Sequence, residues 1–437
     1  MLYAKTGGLH YAQRILVKAI VVPCLLTLGA TTLAEDLPFD KPENVGVSTD
    51  RLQRMNTAMQ RYIDKELLAG TVTLVARKGK IVHLESQGWK NKETGEPMSA
   101  DTIFVIMSMT KPIVSAALMM LYEQGHFLLT DPITDWIPEL AGKEVLMNND
   151  LGSYRVPARN PITFRHVLSH TAGLDPDRDA LTEEELQLLP RSETLEETIL
   201  RRAPLPLSFQ PGDTWQYGSS TDYVALLVER ISGQPLRQFL QENIFDPLEM
   251  HDTFYNVPRD KVNRVAAVYS PSGLGNTIEL FRAPAFQETT YFGGVAGLSS
   301  TISDYWRFSQ MLLNGGELDG VRLLSPKTIN LMISNHSGDS NIYVRGPGYG
   351  FGLGFGILNE PGKARDPLTP GTFTWGGAWG TVFWIDPVEE MIGIMMTQIT
   401  SYGHLTVRQE LGVTAMQAII DSNSNKPYSV MGYQPLQ

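Results

Sequence analysis

The stretch Phe104-Val-Ile-Met-Ser-Met-Thr-Lys-Pro-Ile113 holds the only S-x-x-K tetrad of the chain, Ser108 to Lys111. A helical pattern runs over about 110–124. Residues three apart on a helix share a face, so the lysine amine can reach the serine hydroxyl. A serine attacks a carbonyl only when something accepts its proton, and a lysine stripped of water holds its own proton weakly enough to serve. A serine at a helix start also sits among free N–H groups at the positive end of the helix dipole, where a developing oxyanion is stabilised. Pro112 fits near such a start, where its missing N–H costs little. About one such tetrad is expected by chance in a chain of this length, and the competing reading is an ordinary helix with an exposed lysine.

Around this segment the sequence alternates between two kinds of pattern. After Ser48, apolar residues at Leu52, Met55, Met59 and Tyr62 predict an amphipathic first helix. Thr71–Ala76 and Lys80–Leu84 read as a hairpin turned at Arg77-Lys78-Gly79, and Thr381–Ile385 with Met391–Thr397 read as another around Asp386-Pro-Val-Glu-Glu390. Further helices are predicted at about 164–170, 219–231, 304–313 and 406–420, separated by loops such as Gln210-Pro-Gly-Asp213. Short hairpin connections imply antiparallel strands, because parallel ones need long crossovers. Strands at both ends and helices in the middle predict an α+β fold, not a doubly wound sheet, with a site in the cleft between the two parts. The expected division is an α/β part at about 45–110 and 290–422 and a helical lobe at about 111–289.

The chain has 437 residues, 42% of them hydrophobic and 19% charged, enough to bury a large core. Its formal charge of -11 argues against nucleic-acid binding, which needs a basic face. Lys5, Arg14 and Lys18 precede an apolar stretch from Ala19 to Leu28, followed by Thr32-Leu33-Ala34. This is the layout of a secretory signal, so residues 1–34 are expected to be removed after about Ala34 and the protein exported, to a periplasm or out of the cell. The stretch is interrupted by Pro23 and falls short of the ~20 residues a membrane span needs. Cys24, the only cysteine, would leave with the signal, so no disulfide, thiolate metal site or cysteine nucleophile is expected in residues 35–437.

No serine lies in a G-x-S-x-G frame, and neither a P-loop nor H-E-x-x-H occurs. Gly350, Gly352, Gly354 and Gly356 alternate without a dinucleotide frame and read as a strand with one bare face for close packing. His166 and His170 are four apart, but no third ligand is evident, and packing with helix termination explains them better than a metal. Two other segments carry chemistry. Tyr217-Gly218-Ser219 is the only Y-x-[SN] of the chain and leads into a helix; a tyrosinate beside an ammonium can shuttle a proton, the two titrating as a unit. Thr374-Trp-Gly-Gly-Ala-Trp-Gly-Thr381 opens the later strands, and its glycines predict a strand edge along which a substrate can lie, with the Ala378 N–H free as an oxyanion donor.

Ser108-Met-Thr-Lys111, Tyr217-Gly-Ser219 and Trp375-Gly-Gly377, in that order, resemble the three motifs of the serine β-lactamase and penicillin-binding-protein superfamily. The class C β-lactamase-like branch and the family VIII carboxylesterases are the most similar. Leu168-Ser-His-Thr-Ala-Gly-Leu174, Phe209-Gln-Pro-Gly212 and Gly293-Gly-Val-Ala-Gly-Leu-Ser299 also read like recurring pieces of that group, so the resemblance spans about residues 45–420. It implies a sandwich of sheet and helices with an all-helical lobe, an active site in the cleft, and no metal or cofactor. It further implies that Ser108 is the nucleophile, that Lys111 assists its deprotonation, and that Tyr217 acts as general base and then as acid to the leaving group. The N–H groups of Ser108 and Ala378 would form the oxyanion hole, and Ser219, Trp375, Gly376 and Gly377 would line the substrate.

Two departures bear on the substrate. Ser219 stands where asparagine is commoner in the second motif, and Trp375 stands where β-lactamases usually carry the lysine of Lys-Thr-Gly. That lysine would pair with the carboxylate of a penicillin or peptide terminus, a charge-assisted contact of ~1–3 kcal/mol. Its loss predicts small neutral short-acyl esters as substrates, with little or no β-lactam hydrolysis. A β-lactamase, a D-alanyl-D-alanine carboxypeptidase, an acyltransferase using the same acyl-enzyme, and a non-catalytic peptidoglycan- or lactam-binding protein are the competing readings.

Overall fold

The first helix, α1 (Thr49–Asp64), starts where Ser48 caps it by accepting the Arg51 N–H, and it buries Leu52, Met55, Ala58, Met59 and Tyr62 on one face. The structure is a computed structural model that describes residues 37–149, 152–273 and 277–423. The signal assigned to residues 1–34 lies outside the described residues. No helix of the described residues is long and apolar enough to cross a membrane.

Strands β1 (Gly70–Arg77) and β2 (Lys80–Asn91) form the expected hairpin and run on into β3 (Glu96–Pro97). The chain then builds the helical region before the sheet resumes. That region includes α2 (Thr110–Glu123), α3 (Phe164–Leu168) and α4 (Ser220–Ser232), after which α5 (Ile302–Leu313) returns the chain to the sheet. Strands β4 (Tyr349–Phe351), β5 (Gly356–Leu358), β6 (Phe373–Gly376), β7 (Val382–Asp386) and β8 (Met391–Met396) follow, and α6 (Val407–Met416) ends the fold. The eight strands make one antiparallel sheet in the order β4-β5-β6-β7-β8-β1-β2-β3. β8 pairs with β1 from Val72↔Met396 to Arg77↔Met391, so the first and last thirds of the chain share a sheet, as the α+β reading requires.

β1, β7 and β8 are buried at every position, which demands cover on both faces. α1 and α6 pack together on the sheet, and α5 packs on β1, β7 and β8. Arg77 in β1 ties this layer together: it donates to Glu389, in the turn between β7 and β8, at 2.8 Å and to the carbonyls of Val45 and Gly46, ahead of α1, at 3.0 and 2.9 Å. In the helical region α2 packs against α4, and every side chain of α2 from Thr110 to Met119 is buried.

The alternating glycines are not one strand. Gly350 belongs to β4 and Gly356 to β5, with a turn between them. Close packing is nonetheless the reason for them: a Cβ on Gly352 would lie 2.2 Å from the Met332 carbonyl, and one on Gly354 would lie 2.5 Å from the Ser115 hydroxyl. Among the hairpins that were not foreseen are Glu144–Asn149 with Gly152–Pro157 and Val268–Ser272 with Thr277–Arg282.

Candidate active site

Ser108 lies on a 3-10 turn, Met107–Met109, that runs directly into α2. Residues three apart eclipse in such a turn, which brings the serine over the first residues of the helix. Met107, just before it, has φ 47°, a left-handed conformation that costs a side-chain-bearing residue on the order of 1 kcal/mol and persists only where neighbours enforce it. The neighbours are visible. The Ile106 N–H donates to Leu298 at 3.0 Å, the Tyr305 hydroxyl to the Met109 carbonyl at 3.1 Å, and the Thr381 hydroxyl to the Ile106 carbonyl at 3.3 Å.

Lys111, the second residue of α2, is 1% exposed. Its Nζ donates to Ser108 Oγ at 3.1 Å and to the Val295 carbonyl at 2.8 Å. Burial lowers its affinity for its proton, while Tyr217 and the carboxylates of Asp222 and Asp175 oppose that shift. Once the amine is neutral, the same contact can carry the serine proton to it. Asp222, from α4, also fixes the wall opposite the lysine: it accepts the Val295 N–H and the Tyr291 hydroxyl, each at 2.9 Å.

Tyr217 sits above the amine, with Lys111 Nζ 4.7 Å from the centre of its ring. An aromatic cage sets the ring. Trp215 lies nearly parallel at 6.0 Å, and His170 and Trp375 are each 5.3 Å away. The Trp375 indole N–H donates to the Tyr217 hydroxyl at 3.3 Å, which helps to fix the position of that oxygen. The Tyr343 hydroxyl accepts the Tyr217 N–H at 3.1 Å, pinning the backbone as well.

The glycine between Tyr217 and Ser219 is explained by Asp175. A Cβ on Gly218 would lie 2.0 Å from the Asp175 carboxylate, which accepts the Ser219 N–H at 2.8 Å. Burial raises the Asp175 carboxyl, and hydrogen bonds from the Ser219 backbone and hydroxyl oppose the rise. Ser219 therefore faces the Asp175 carboxylate. Asp175 follows Leu174 directly, but nothing in its sequence surroundings signals that contact.

The third segment closes the site. Trp375 is 3% exposed on β6, edge-on to Phe351 at 5.3 Å. The space that a side chain on either glycine would need is taken by protein. A Cβ on Gly376 would lie 2.8 Å from the Arg408 guanidinium carbon, and one on Gly377 would lie 2.3 Å from the Thr381 hydroxyl and 2.4 Å from the Ile106 carbonyl. Gly377 thus packs on the residue two before Ser108. The turn that follows leaves Ala378 exposed, and its N–H has no backbone acceptor among the described residues.

His166 and His170 have separate packing roles. His166 joins a capping box with Thr163, and burial holds it at about 4; His170 is buried against Tyr217, Trp215 and Phe351, and burial holds it at about 3. No group of three potential metal ligands occurs among the described residues. The sequence pattern carries no sign that His170 supports the Tyr217 ring.

Comparison with known proteins gives the family. Residues 55–411 match the sequence model of the family described as Beta-lactamase. Protein Rv1367c of Mycobacterium tuberculosis is 34% identical over 355 residues, covering 78% of this chain and 88% of its own. Esterase EstB of Burkholderia gladioli is 29% identical over 386 residues, covering 81% of this chain and 93% of its own. The solved structure of EstCE1, a hydrolase with promiscuous acyltransferase activity, superposes with a TM-score of 0.72 at 26% identity, covering 84% of this chain and 99% of that one.

Proposed function

This chain belongs to the Beta-lactamase family, as a carboxylesterase-like serine hydrolase, and we propose that it is an exported esterase cleaving small, neutral, short-acyl esters through an acyl-enzyme on Ser108. The observation that carries the reading is the buried Lys111 amine, 3.1 Å from the Ser108 hydroxyl and under the Tyr217 ring. Ser108 Oγ attacks the ester carbonyl carbon, and its proton passes to the Lys111–Tyr217 pair. The N–H groups of Ser108 and Ala378 hold the oxyanion. As the tetrahedral species collapses, Tyr217 gives a proton to the leaving alkoxide, so an alcohol departs and the acyl group stays on Ser108. Water then attacks the acyl carbon with Tyr217 taking its proton, and the acid leaves as Ser108 regains its hydrogen.

The substrate class follows from Trp375. An indole that holds the Tyr217 oxygen takes the position where the family usually offers an ammonium to a carboxylate. Two arginines near it have protein partners of their own: Arg345 lies over the Tyr349 ring and donates to its hydroxyl at 3.2 Å, and Arg408 donates to the Thr381 carbonyl at 2.6 Å. Neutral esters lose nothing from this arrangement, whereas penicillins and peptide termini lose an anchor. An alcohol replacing water in the second step would make the same acyl-enzyme an acyl donor, the activity named for EstCE1, and added alcohols would reveal it as ester products. The signal-like segment within residues 1–34 is the basis for export.

The test is turnover of p-nitrophenyl butyrate against a chromogenic cephalosporin by the purified protein. Clear preference for the ester supports the proposal; preference for the cephalosporin makes the protein a β-lactamase with an unusual anchor.

A further inference from the structure

Arg408, from the first turn of α6, lies against Gly376 and reaches the turn that carries Ala378. Its Nη2 donates to the Gly377 carbonyl and, at 2.6 Å, to the Thr381 carbonyl. The Gly377 carbonyl also accepts the Tyr402 hydroxyl at 3.2 Å and the Gly380 N–H at 3.1 Å. Three donors, one of them a cation, converge on an oxygen with two lone pairs. Arg408 forms no ion pair with a carboxylate among the described residues, its Nε is buried without a hydrogen-bond partner, and its guanidinium stacks on the Tyr402 ring at 4.4 Å. Desolvation holds it at about 10, so it stays a cation at neutral pH.

The Gly377 carbonyl and the Ala378 N–H belong to one peptide group. A trans peptide is planar, and its C=O and N–H point in opposite directions. Fixing the oxygen therefore fixes the direction of the hydrogen. A donor on the oxygen also draws electron density along the conjugated N–C–O unit and makes the N–H a stronger donor, more so when that donor is charged. The N–H at the other end has no backbone acceptor among the described residues.

We propose that Arg408, assisted by Tyr402, is a positioning residue that aims and polarises the Gly377–Ala378 peptide, so that the Ala378 N–H binds the tetrahedral oxyanion more strongly than an unassisted amide would. The proposal rests on the reading of Ala378 as an oxyanion donor. It also gives Gly376 its reason: a side chain there would displace the guanidinium that loads the next carbonyl. A lysine at 408 would keep the charge but lose the fork that spans Gly377 and Thr381.

The experiment measures kcat and KM on p-nitrophenyl butyrate, and the dissociation constant of an arylboronic acid whose anionic tetrahedral adduct with Ser108 mimics the oxyanion, for wild type, Arg408→Gln, Arg408→Lys and Tyr402→Phe. Expected for Arg408→Gln is a roughly 10-fold fall in kcat, smaller than the ~10²–10³ lost on deleting an oxyanion donor outright. KM stays within about twofold and boronate affinity weakens by the same factor as kcat, because only charged tetrahedral species feel the change. Arg408→Lys recovers part of both losses, and Tyr402→Phe gives a smaller parallel loss. Unchanged kcat and boronate affinity in folded variants overturns the proposal. So does a kcat loss that leaves boronate binding intact, or a lysine variant no better than glutamine, since either makes Arg408 a staple of the turn only. If Arg408→Gln does not fold, the Lys and Phe variants decide alone. A wild type that binds boronate on Ser108 but hydrolyses no ester would refute the esterase reading, and the boronate constants would still judge this one.

Discussion

Replacing Tyr217 by phenylalanine separates proton transfer from packing. The ring keeps its neighbours, with Trp215 at 6.0 Å and His170 and Trp375 at 5.3 Å. The substitution removes the hydrogen bond from the Trp375 indole, which at 3.3 Å is long, so stability falls by ~1 kcal/mol. In a chain of this size that moves Tm by no more than about 3 °C. Positioned acid–base groups contribute about 10²–10⁴ in rate, and this phenol is assigned to both half-reactions. The expected fall in kcat/KM is therefore about 10³, near 4 kcal/mol of barrier. Steady-state hydrolysis of p-nitrophenyl butyrate, read beside thermal melting, checks both numbers. A fall of less than about tenfold with an unchanged Tm would mean that another group moves the proton. A large fall accompanied by a Tm drop of ~10 °C or more would mean that the hydroxyl matters for packing instead.

Other perturbations probe separate parts of the molecule. Trp375→Lys restores a cation at the third motif and removes the indole donor to Tyr217; ester turnover is expected to fall and relative turnover of a carboxylate-bearing cephalosporin to rise about tenfold or more, the equivalent of ~1–3 kcal/mol, and an unchanged ratio counts against the reading of that motif. His83, His166 and His170 are held by burial at about 4, about 4 and about 3, below the ordinary 6.5, so the unfolded chain binds more protons in the interval and the stability they contribute is complete above about 6.5 and lost as pH falls. At pH 5 the loss is about 2 kcal/mol per histidine, so Tm is expected to drop between pH 7 and 5, and His83→Gln, which removes only a partner of Thr73, to flatten the slope. Arg77→Leu takes away the cation facing the buried Glu389 carboxylate and is expected to cost about 3–5 kcal/mol in urea unfolding; a loss under about 1 kcal/mol would mean that the pair does not tie β1 to the turn between β7 and β8.

The parts of the fold legible in the sequence were those with a strong period or a chemical marker. α1 begins at its Ser48 cap, and the β7–β8 hairpin turns within Asp386–Glu390, because periodicity and turn residues agree there. α6 is shorter than the predicted helix: after Met416 the chain turns so that Ile419 can bridge to Val47, a tertiary contact that periodicity does not carry. The hairpin of Glu144–Asn149 and Gly152–Pro157 was missed because its second strand is exposed at all but one position and shows no apolar alternation. Within the site, Ser108, Lys111, Tyr217 and Trp375 were recognisable from ordered motifs. Asp175, His170 and Arg408 were not, since each acts through a neighbour far off in sequence: Gly218, Tyr217 and Gly377. The sequence also does not show that the Cβ directions of Gly376 and Gly377 point at Arg408 and Thr381.

The central claim is that one serine carries the acyl group. Treating the protein with a fluorophosphonate and mapping the modified peptide tests it most directly. The account predicts a single adduct on Ser108, with ester hydrolysis abolished in step with labelling and in Ser108→Ala. Labelling elsewhere, or hydrolysis that survives in Ser108→Ala, would contradict it.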